Sequence, residues 1–201
     1  MTRNGKIALV IGVLIAIAAG LWLSELMVGG DGGPGAVSSS GKAQVGGPFT
    51  LVNDAGETVT DETFRGRYML IYFGFTFCPD VCPTTLAEVL GWQEELKTKP
   101  DQLRFIMVTV DPERDTPDNL RQYLDAFSTD FIGLVGDETQ TEAAKKAFGV
   151  YSQKVKTDEA TDYLVDHTAS VFVLDKDGRF QSTIAYGEDK ESAIAKIRRV
   201  L

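Results

Sequence analysis

An almost continuous apolar run over residues 68–75 leads directly into the segment that contains both cysteines of the chain, Cys78 and Cys82. A run of this kind is typical of a strand that is buried on both faces, as in sheets that helices cover on both sides. Apolar residues at helical spacing follow over residues 84–97. A buried strand, a loop with two cysteines and a helix therefore follow one another, and this order favours an α/β fold.

The rest of the sequence extends this pattern to the C-terminus. Thr116 and Pro117 mark a helix start as N-cap and first helical residue. Strands are predicted over residues 48–52, 103–110, 132–135, 169–174 and 180–185, and further helices over residues 138–148 and 188–200. This order predicts a sheet with a parallel portion and a hairpin edge, as in the thioredoxin-like fold. Without an internal repeat or a second linker, residues 45–201 are interpreted as one domain.

The only histidine of the chain, His167, lies just before the predicted hairpin strand. In the thioredoxin-like plan, this position and the cysteine loop lie at the same end of the sheet, and the three residues can meet. Pro83 suits a first helical turn, which places Cys82 near a helix N-terminus. The helix dipole favours an anion there, and we expect both thiols to be available as thiolates.

Two thiols and one imidazole favour a soft metal ion such as Cu(I), and Cu(II) with an added ligand or water. A structural zinc site would require a fourth strong ligand, and a catalytic zinc site would lack an obvious general base. The nearby acids Asp80 and Asp166 are interpreted as solvated side chains rather than ligands.

Redox chemistry is the alternative for the same residues. The Cys-x-x-x-Cys spacing is one residue wider than the Cys-x-x-Cys of disulfide oxidoreductases, and no proline follows Pro117 to occupy the substrate-contacting position before the last strands. A purely structural disulfide would enclose three residues and contribute little stability. A peroxidase is disfavoured because the Pro-x-x-x-Thr-x-x-Cys run of peroxiredoxins is absent. A thiol-disulfide reductase, with Cys78 and Cys82 as its redox-active pair, stays open.

The N-terminal region predicts a membrane anchor. Residues 7–23 are apolar and uncharged, Arg3 and Lys6 precede them, and Glu25 and Asp31 follow. Residues 1–28 are interpreted as a cytoplasmic stub and transmembrane helix, and residues 29–44 as a Gly/Ser-rich flexible tether. A cleaved signal peptide is the alternative. The six residues before the apolar run leave no room for an organelle transit peptide, which favours a bacterial inner membrane with the domain in the periplasm or extracytoplasmic space.

The net charge of the chain limits the classes of partner that it suits. From Lys42 onward, 27 Asp and Glu face 18 Lys and Arg. This excess of acids argues against nucleic acid and anionic lipid surfaces and suits cations or a basic protein.

Three segments together carry a resemblance to the Sco/SenC family. They are GFTFCPDVCP at residues 74–83, VDPERDTP at residues 110–117 and VDHTA at residues 165–169. Strand termination and helix capping account for much of the second segment, and the residues alone assign it no chemistry.

The resemblance implies a membrane-anchored, thioredoxin-like copper protein that assists assembly of the dinuclear copper site of cytochrome c oxidase. It implies Cys78, Cys82 and His167 as the copper ligands, and the copper-site subunit of the oxidase as the partner, with other periplasmic copper carriers or thiol reductants as further partners. Family members divide between copper delivery, which is not enzymatic, and thiol-disulfide reduction of oxidase subunit cysteines or redox signalling.

Overall fold

The computed structural model describes residues 45–156 and 163–201. The predicted anchor and tether, residues 1–28 and 29–44, lie outside these ranges. Across the two described ranges, no helix combines the length and the apolar character needed to cross a bilayer.

The described residues form nine strands, four α-helices and a short 3-10 helix. The strands are β1 Thr50–Asn53, β2 Thr58–Thr60, β3 Tyr68–Gly74, β4 Leu103–Thr109, β5 Ile132–Val135, β6 Ser152–Lys156, β7 Tyr163–His167, β8 Ser170–Leu174 and β9 Phe180–Ala185. The helices are α1 Val81–Leu96, α2 Pro117–Asp125, α3 Glu138–Phe148 and α4 Lys190–Arg198, and the 3-10 helix is Asp61–Phe64.

Seven strands form the main sheet in the order β2-β1-β5-β4-β3-β8-β9. β3, β4 and β5 are parallel, whereas β1 and β8 run antiparallel to their neighbours β5 and β3. The predicted parallel portion and hairpin edge are therefore confirmed. Because β3 and β4 are adjacent and parallel, the loops that follow them open at the same edge of the sheet.

β6 and β7 form a separate two-stranded antiparallel sheet, which we call the ribbon. Within the described ranges it has no strand pairing with the main sheet. The sequence does not predict either strand, because β6 (SQKVK) is polar and exposed over most of its length. The ribbon matters for the site because its last residue is His167.

The central strand β3 is buried as its apolar sequence predicts. Residues from Met69 to Gly74 are all buried, and β3 pairs in register with β4 from Tyr68↔Leu103 to Gly74↔Thr109. Each fully buried large side chain contributes about 1.5–3 kcal/mol of transfer free energy. The strand that leads into the cysteine loop is thereby anchored in the core on both faces.

Local signals set the helix ends. Thr116 caps α2, since the Asn119 N–H donates to its Oγ1 at 3.2 Å, and Pro117 is the first helical residue, which confirms that prediction. The observed bounds of β5, α3 and β9 equal the predicted ones. α1 begins at Val81, three residues before the start of its predicted apolar spacing, and Cys82 therefore lies inside its first turn.

Candidate metal centre

The loop between β3 and α1 positions the two sulfurs at the helix N-terminus. Cys82 is fully buried, whereas Cys78 precedes the helix and is half-buried. The Asp80 side chain makes no capping hydrogen bond, and the Cys82 N–H instead donates to Cys78 Sγ at 3.3 Å. The sulfur of Cys78 thus takes the place of a capping oxygen, as a thiolate can at the positive end of a helix.

A glycine permits the close approach of Cys82 to the sheet. A Cβ atom on Gly74 would lie 2.6 Å from a Tyr72 ring carbon and 3.0 Å from Cys82 Sγ. The Tyr72 hydroxyl donates to Cys82 Sγ at 3.4 Å from inside the core. Cys82 is therefore held from two directions, with little freedom to move.

The environment gives the two thiols opposite pKa shifts. Hydrogen bonding from the Cys82 side chain is the largest cause that lowers the pKa of Cys78 to about 4, with further hydrogen bonds from His167 and from backbone N–H groups. The pKa of Cys82 is raised, because its thiol donates to Cys78 and because it is buried. The prediction of two thiolates is therefore wrong for the reduced, metal-free protein: Cys78 carries the charge and Cys82 keeps its proton. The helix dipole is outweighed by burial and by the adjacent anion.

His167 reaches the sulfurs from the ribbon. Its Nε2 lies 3.7 Å from Cys82 Sγ, and its Nδ1 lies 3.1 Å from the carbonyl oxygen of Thr168. With a proton on Nδ1, the imidazole donates to that carbonyl and its Nε2 lone pair can bind a metal ion; with a proton on Nε2, it can donate to the Cys78 sulfur instead. Tyr72 and Phe75 pack edge-on against the imidazole, with ring centroids at 6.0 and 5.8 Å.

The donor atoms of Cys78, Cys82 and His167 all lie within 4.8 Å of one another. The structure therefore brings together the three residues that the sequence analysis singled out. Two sulfurs and an imidazole nitrogen form a soft donor set that suits Cu(I). No fourth Cys, His, Asp or Glu from residues 45–156 or 163–201 joins the group, which makes it a poor structural zinc site. Asp80 and Asp166 are exposed and stand apart from it.

Asp115 ties the cysteine loop to the sheet. This buried carboxylate accepts hydrogen bonds from the Thr76 N–H at 3.2 Å, the Thr76 hydroxyl at 2.5 Å and the Thr109 hydroxyl at 2.6 Å. Burial raises its pKa, and these three hydrogen bonds oppose that shift. Since Thr76 lies two residues before Cys78, Asp115 fixes the start of the loop that carries the sulfurs.

The buried Asp111 and the partly buried Arg114 form a second group at the same sheet edge. Arg114 Nε donates to Asp111 Oδ2 at 2.5 Å, and the Tyr163 hydroxyl donates to Asp111 Oδ1 at 2.7 Å. Tyr163 opens β7, the strand that ends at His167. Neighbouring segments of the β4–α2 loop thus contact both of the segments that carry the sulfurs and the imidazole.

Sequence alone assigned no chemistry to Asp111, Arg114 and Asp115, although a signal for their role exists. They directly follow β4, which is parallel to the strand before the cysteines, and the carboxyl ends of such strands share one edge. Tyr72 belongs to the apolar run that predicts β3, and its buried hydroxyl also needs a partner, which here is a sulfur.

Comparison with known proteins gives consistent matches. The family model described as SCO1/SenC matches residues 37–201. The human SCO1 homolog, a mitochondrial protein, is 38% identical over 160 residues, which cover 78% of this chain and 53% of the human protein. An SCO2-like protein of Rickettsia prowazekii is 39% identical over 140 residues, covering 69% of this chain and 68% of that protein. The chain thus spans about half the length of the human relative.

Two solved structures extend the comparison. Bradyrhizobium japonicum ScoI with copper bound superimposes with a TM-score of 0.70 at 40% identity, over 78% of this chain and 99% of that one. BsSco, described as having a disulfide switch and as a member of the Sco family of cytochrome c oxidase assembly proteins, gives a TM-score of 0.58 at 27% identity, over 77% of this chain and 91% of that one. These matches support the thioredoxin-like fold.

Proposed function

The chain belongs to the SCO1/SenC family, and from that premise we propose that it is a copper chaperone. Cys78, Cys82 and His167 hold one copper ion as cargo, in the Cu(I) state and also as Cu(II) with an added ligand or water. The chain delivers the ion during assembly of the dinuclear copper site of cytochrome c oxidase. The observation that carries this proposal is the convergence of the three donor atoms to within 4.8 Å.

The unequal exposure of the ligands suits both retention and release. Cys82 is buried and fixed, while Cys78 and His167 are half-exposed. A copper ion would meet the Cys78 thiolate first, and binding would displace the proton from Cys82, because ligating thiols are deprotonated. In the reverse direction, the thiolates of a partner would displace the two exposed ligands before the buried one.

The location of the protein is part of the proposal. Residues 1–28 anchor the chain in a bacterial inner membrane, residues 29–44 act as a tether, and residues 45–201 form the periplasmic copper-binding domain. The apolar, uncharged run over residues 7–23 supports the anchor. Confinement to one membrane with the oxidase subunit would raise the effective concentration of the two partners.

A thiol-disulfide reductase is the second candidate, and the low pKa of Cys78 favours it. The Cys78 thiolate would attack a partner disulfide and release one partner thiolate. Cys82 would lose its proton and attack the Cys78 sulfur in the mixed disulfide, releasing the second partner thiolate. The partner gains two electrons and the chain ends as a Cys78–Cys82 disulfide, which an external dithiol would reduce.

Anaerobic titration of the reduced full chain with Cu(I), against a competing chelator, tests the chaperone. We expect one tightly bound equivalent, affinity at least about tenfold weaker in His167→Ala, and loss of tight binding in Cys78→Ser. Asp166→Asn is the matched control, because Asp166 is exposed and outside the donor group. Weak copper binding, or copper affinity that is unchanged in His167→Ala, would favour the reductase. Disulfide exchange activity that is retained in His167→Ala would also favour it.

A further inference from the structure

The position of His167 depends on what holds the ribbon. The two cysteines lie on a loop and helix anchored by the buried strand β3, but the ribbon pairs with no strand of the main sheet in the described part of the chain. His167 lies three residues before Ser170, the first residue of β8, which pairs with β3, and Val165 of β7 packs into the core. The far end of β7, at Tyr163, is held by side-chain contacts with Arg114.

Arg114 contacts Tyr163, the first residue of β7, in two ways. Its guanidinium carbon lies 3.7 Å from the centroid of the Tyr163 ring, which is a stacking distance, and its Nη1 donates to the Tyr163 carbonyl at 3.0 Å. Both the side chain and the backbone of this residue are therefore fixed.

Asp111 holds Arg114 in turn. This fully buried carboxylate follows β4, accepts from Arg114 Nε through one oxygen and accepts from the Tyr163 hydroxyl through the other. The three side chains close a ring of contacts between the sheet edge and the ribbon. Arg114 Nη2 is buried and has no hydrogen-bond partner among the described residues, so stacking of the guanidinium plane is a main part of its attachment.

The same guanidinium also contacts the cysteine loop. It lies 4.7 Å from the ring centroid of Phe77, the residue before Cys78, and 5.9 Å from that of Phe75, whose ring packs against His167. Arg114 thus bridges the segment that carries the sulfurs and the strand that carries the imidazole. The other charged contact to the ribbon, Lys154 to Glu113 at 2.6 Å, joins two largely exposed side chains and contributes little.

We propose that Arg114 is a positioning residue that latches the ribbon to the cysteine loop and so holds His167 within reach of the two sulfurs. This proposal rests on the proposed function, because it concerns retention of the copper cargo. Without the latch, the ribbon samples positions in which the imidazole is withdrawn. Apparent copper affinity then falls in proportion to the fraction of molecules that keep the imidazole in place.

A double-mutant cycle with His167 tests the latch. Full chains carrying Arg114→Met, His167→Ala or both are titrated with Cu(I) against a chelator. We expect Arg114→Met to weaken binding about tenfold in the wild-type background and less than about twofold in His167→Ala, because the latch acts through the imidazole. Arg121→Met is the matched control, since within residues 45–156 and 163–201 that arginine forms one ion pair, an exposed one with Asp118. Equal losses in both backgrounds would show a general structural role and overturn the proposal.

A second measurement needs no copper, so that failure of the latch and failure of the proposed function can be told apart. His167 is the only histidine, and its imidazole nitrogens give unambiguous NMR signals. In the reduced metal-free chain we expect Arg114→Met to shift the His167 ring-nitrogen signals and to speed amide exchange in β6 and β7, with α1 and β3 unchanged. Arg114→Lys keeps the charge beside Asp111 but loses the planar stack, and should give an intermediate result. Unchanged His167 signals and ribbon exchange in Arg114→Met would overturn the latch even if the wild type binds copper tightly.

Discussion

The two cysteines of the site differ at the scale of single atoms. Cys82 Sγ is buried against Gly74 and the Tyr72 hydroxyl, whereas Cys78 Sγ is half-exposed and receives the hydrogen bonds of the first helical turn. One proton shared between them stays on the buried sulfur. Cys78 is therefore both the charged and the more solvent-accessible cysteine, and any partner or reagent meets it first.

Alkylation of the reduced metal-free chain checks this difference. With a pKa of about 4, Cys78 should react with iodoacetamide at nearly the same rate at pH 6 and pH 8. The reaction rate of an ordinary thiol would increase roughly a hundredfold over those two pH units. Protonation slows the Cys78 reaction only as the pH falls towards its pKa. Peptide mass mapping should find Cys78 modified first, and preferential modification of Cys82 would contradict the assignment.

Gly74 leaves room for that arrangement. Gly74→Ala would force Tyr72 or Cys82 to move, and we expect a loss of about 1–3 kcal/mol in the free energy of unfolding, together with weaker copper binding. Gly91→Ala is the control: nothing lies within 4 Å of a Cβ there, and in the middle of α1 the change should stabilise by about 0.5–1 kcal/mol. Urea unfolding of both variants measures the contrast. Equal effects would show that close approach at Gly74 is unimportant.

At the scale of elements, the β4–α2 loop organises the site without belonging to the donor group. Asp115 holds the cysteine loop through Thr76, and Asp111 with Arg114 holds the ribbon through Tyr163. The loop that carries the two sulfurs and the strand that carries the imidazole are thus both attached to the β4–α2 loop at the sheet edge.

Replacing Asp115 should show how much the cysteine loop depends on this attachment. Asp115→Ala leaves the Thr76 and Thr109 hydroxyls without their acceptor, and we expect a loss of about 2–4 kcal/mol in the free energy of unfolding. In this variant, the rate of amide hydrogen exchange should increase more in residues 76–82 than in β9. Asp118→Ala, an exposed acid in the next helix, is the matched control. A stability equal to that of the control would contradict this role.

At the scale of the whole molecule, the proposed anchor at residues 1–28 would confine the copper site to a membrane. We expect the full chain to stay with the membrane after an alkaline carbonate wash, because residues 7–23 are apolar and uncharged, and a chain without residues 2–28 to be released. Fractionation followed by intact-mass measurement checks this. A soluble protein whose mass shows removal of the N-terminal segment would establish a cleaved signal peptide instead.

Much of the fold is readable from the sequence because its signals are local. The apolar β3 run, the Thr116–Pro117 helix start and the hairpin turn before β9 each depend on neighbouring residues. β6 escapes prediction because its residues are mostly polar and exposed, and β7 is a five-residue strand whose partner carries this weak strand signal.

The sequence by itself determined the candidate donor set, since two cysteines and one histidine leave no other combination of these side chains, and the parallel strand order implied that they could meet. Only the tertiary structure decided which sulfur carries the charge and which residues hold the imidazole. Burial and proton sharing depend on atoms brought together from distant parts of the chain, as do the contacts of Arg114 with Phe77 and Tyr163. Interactions across such separations leave no periodic trace along a single sequence.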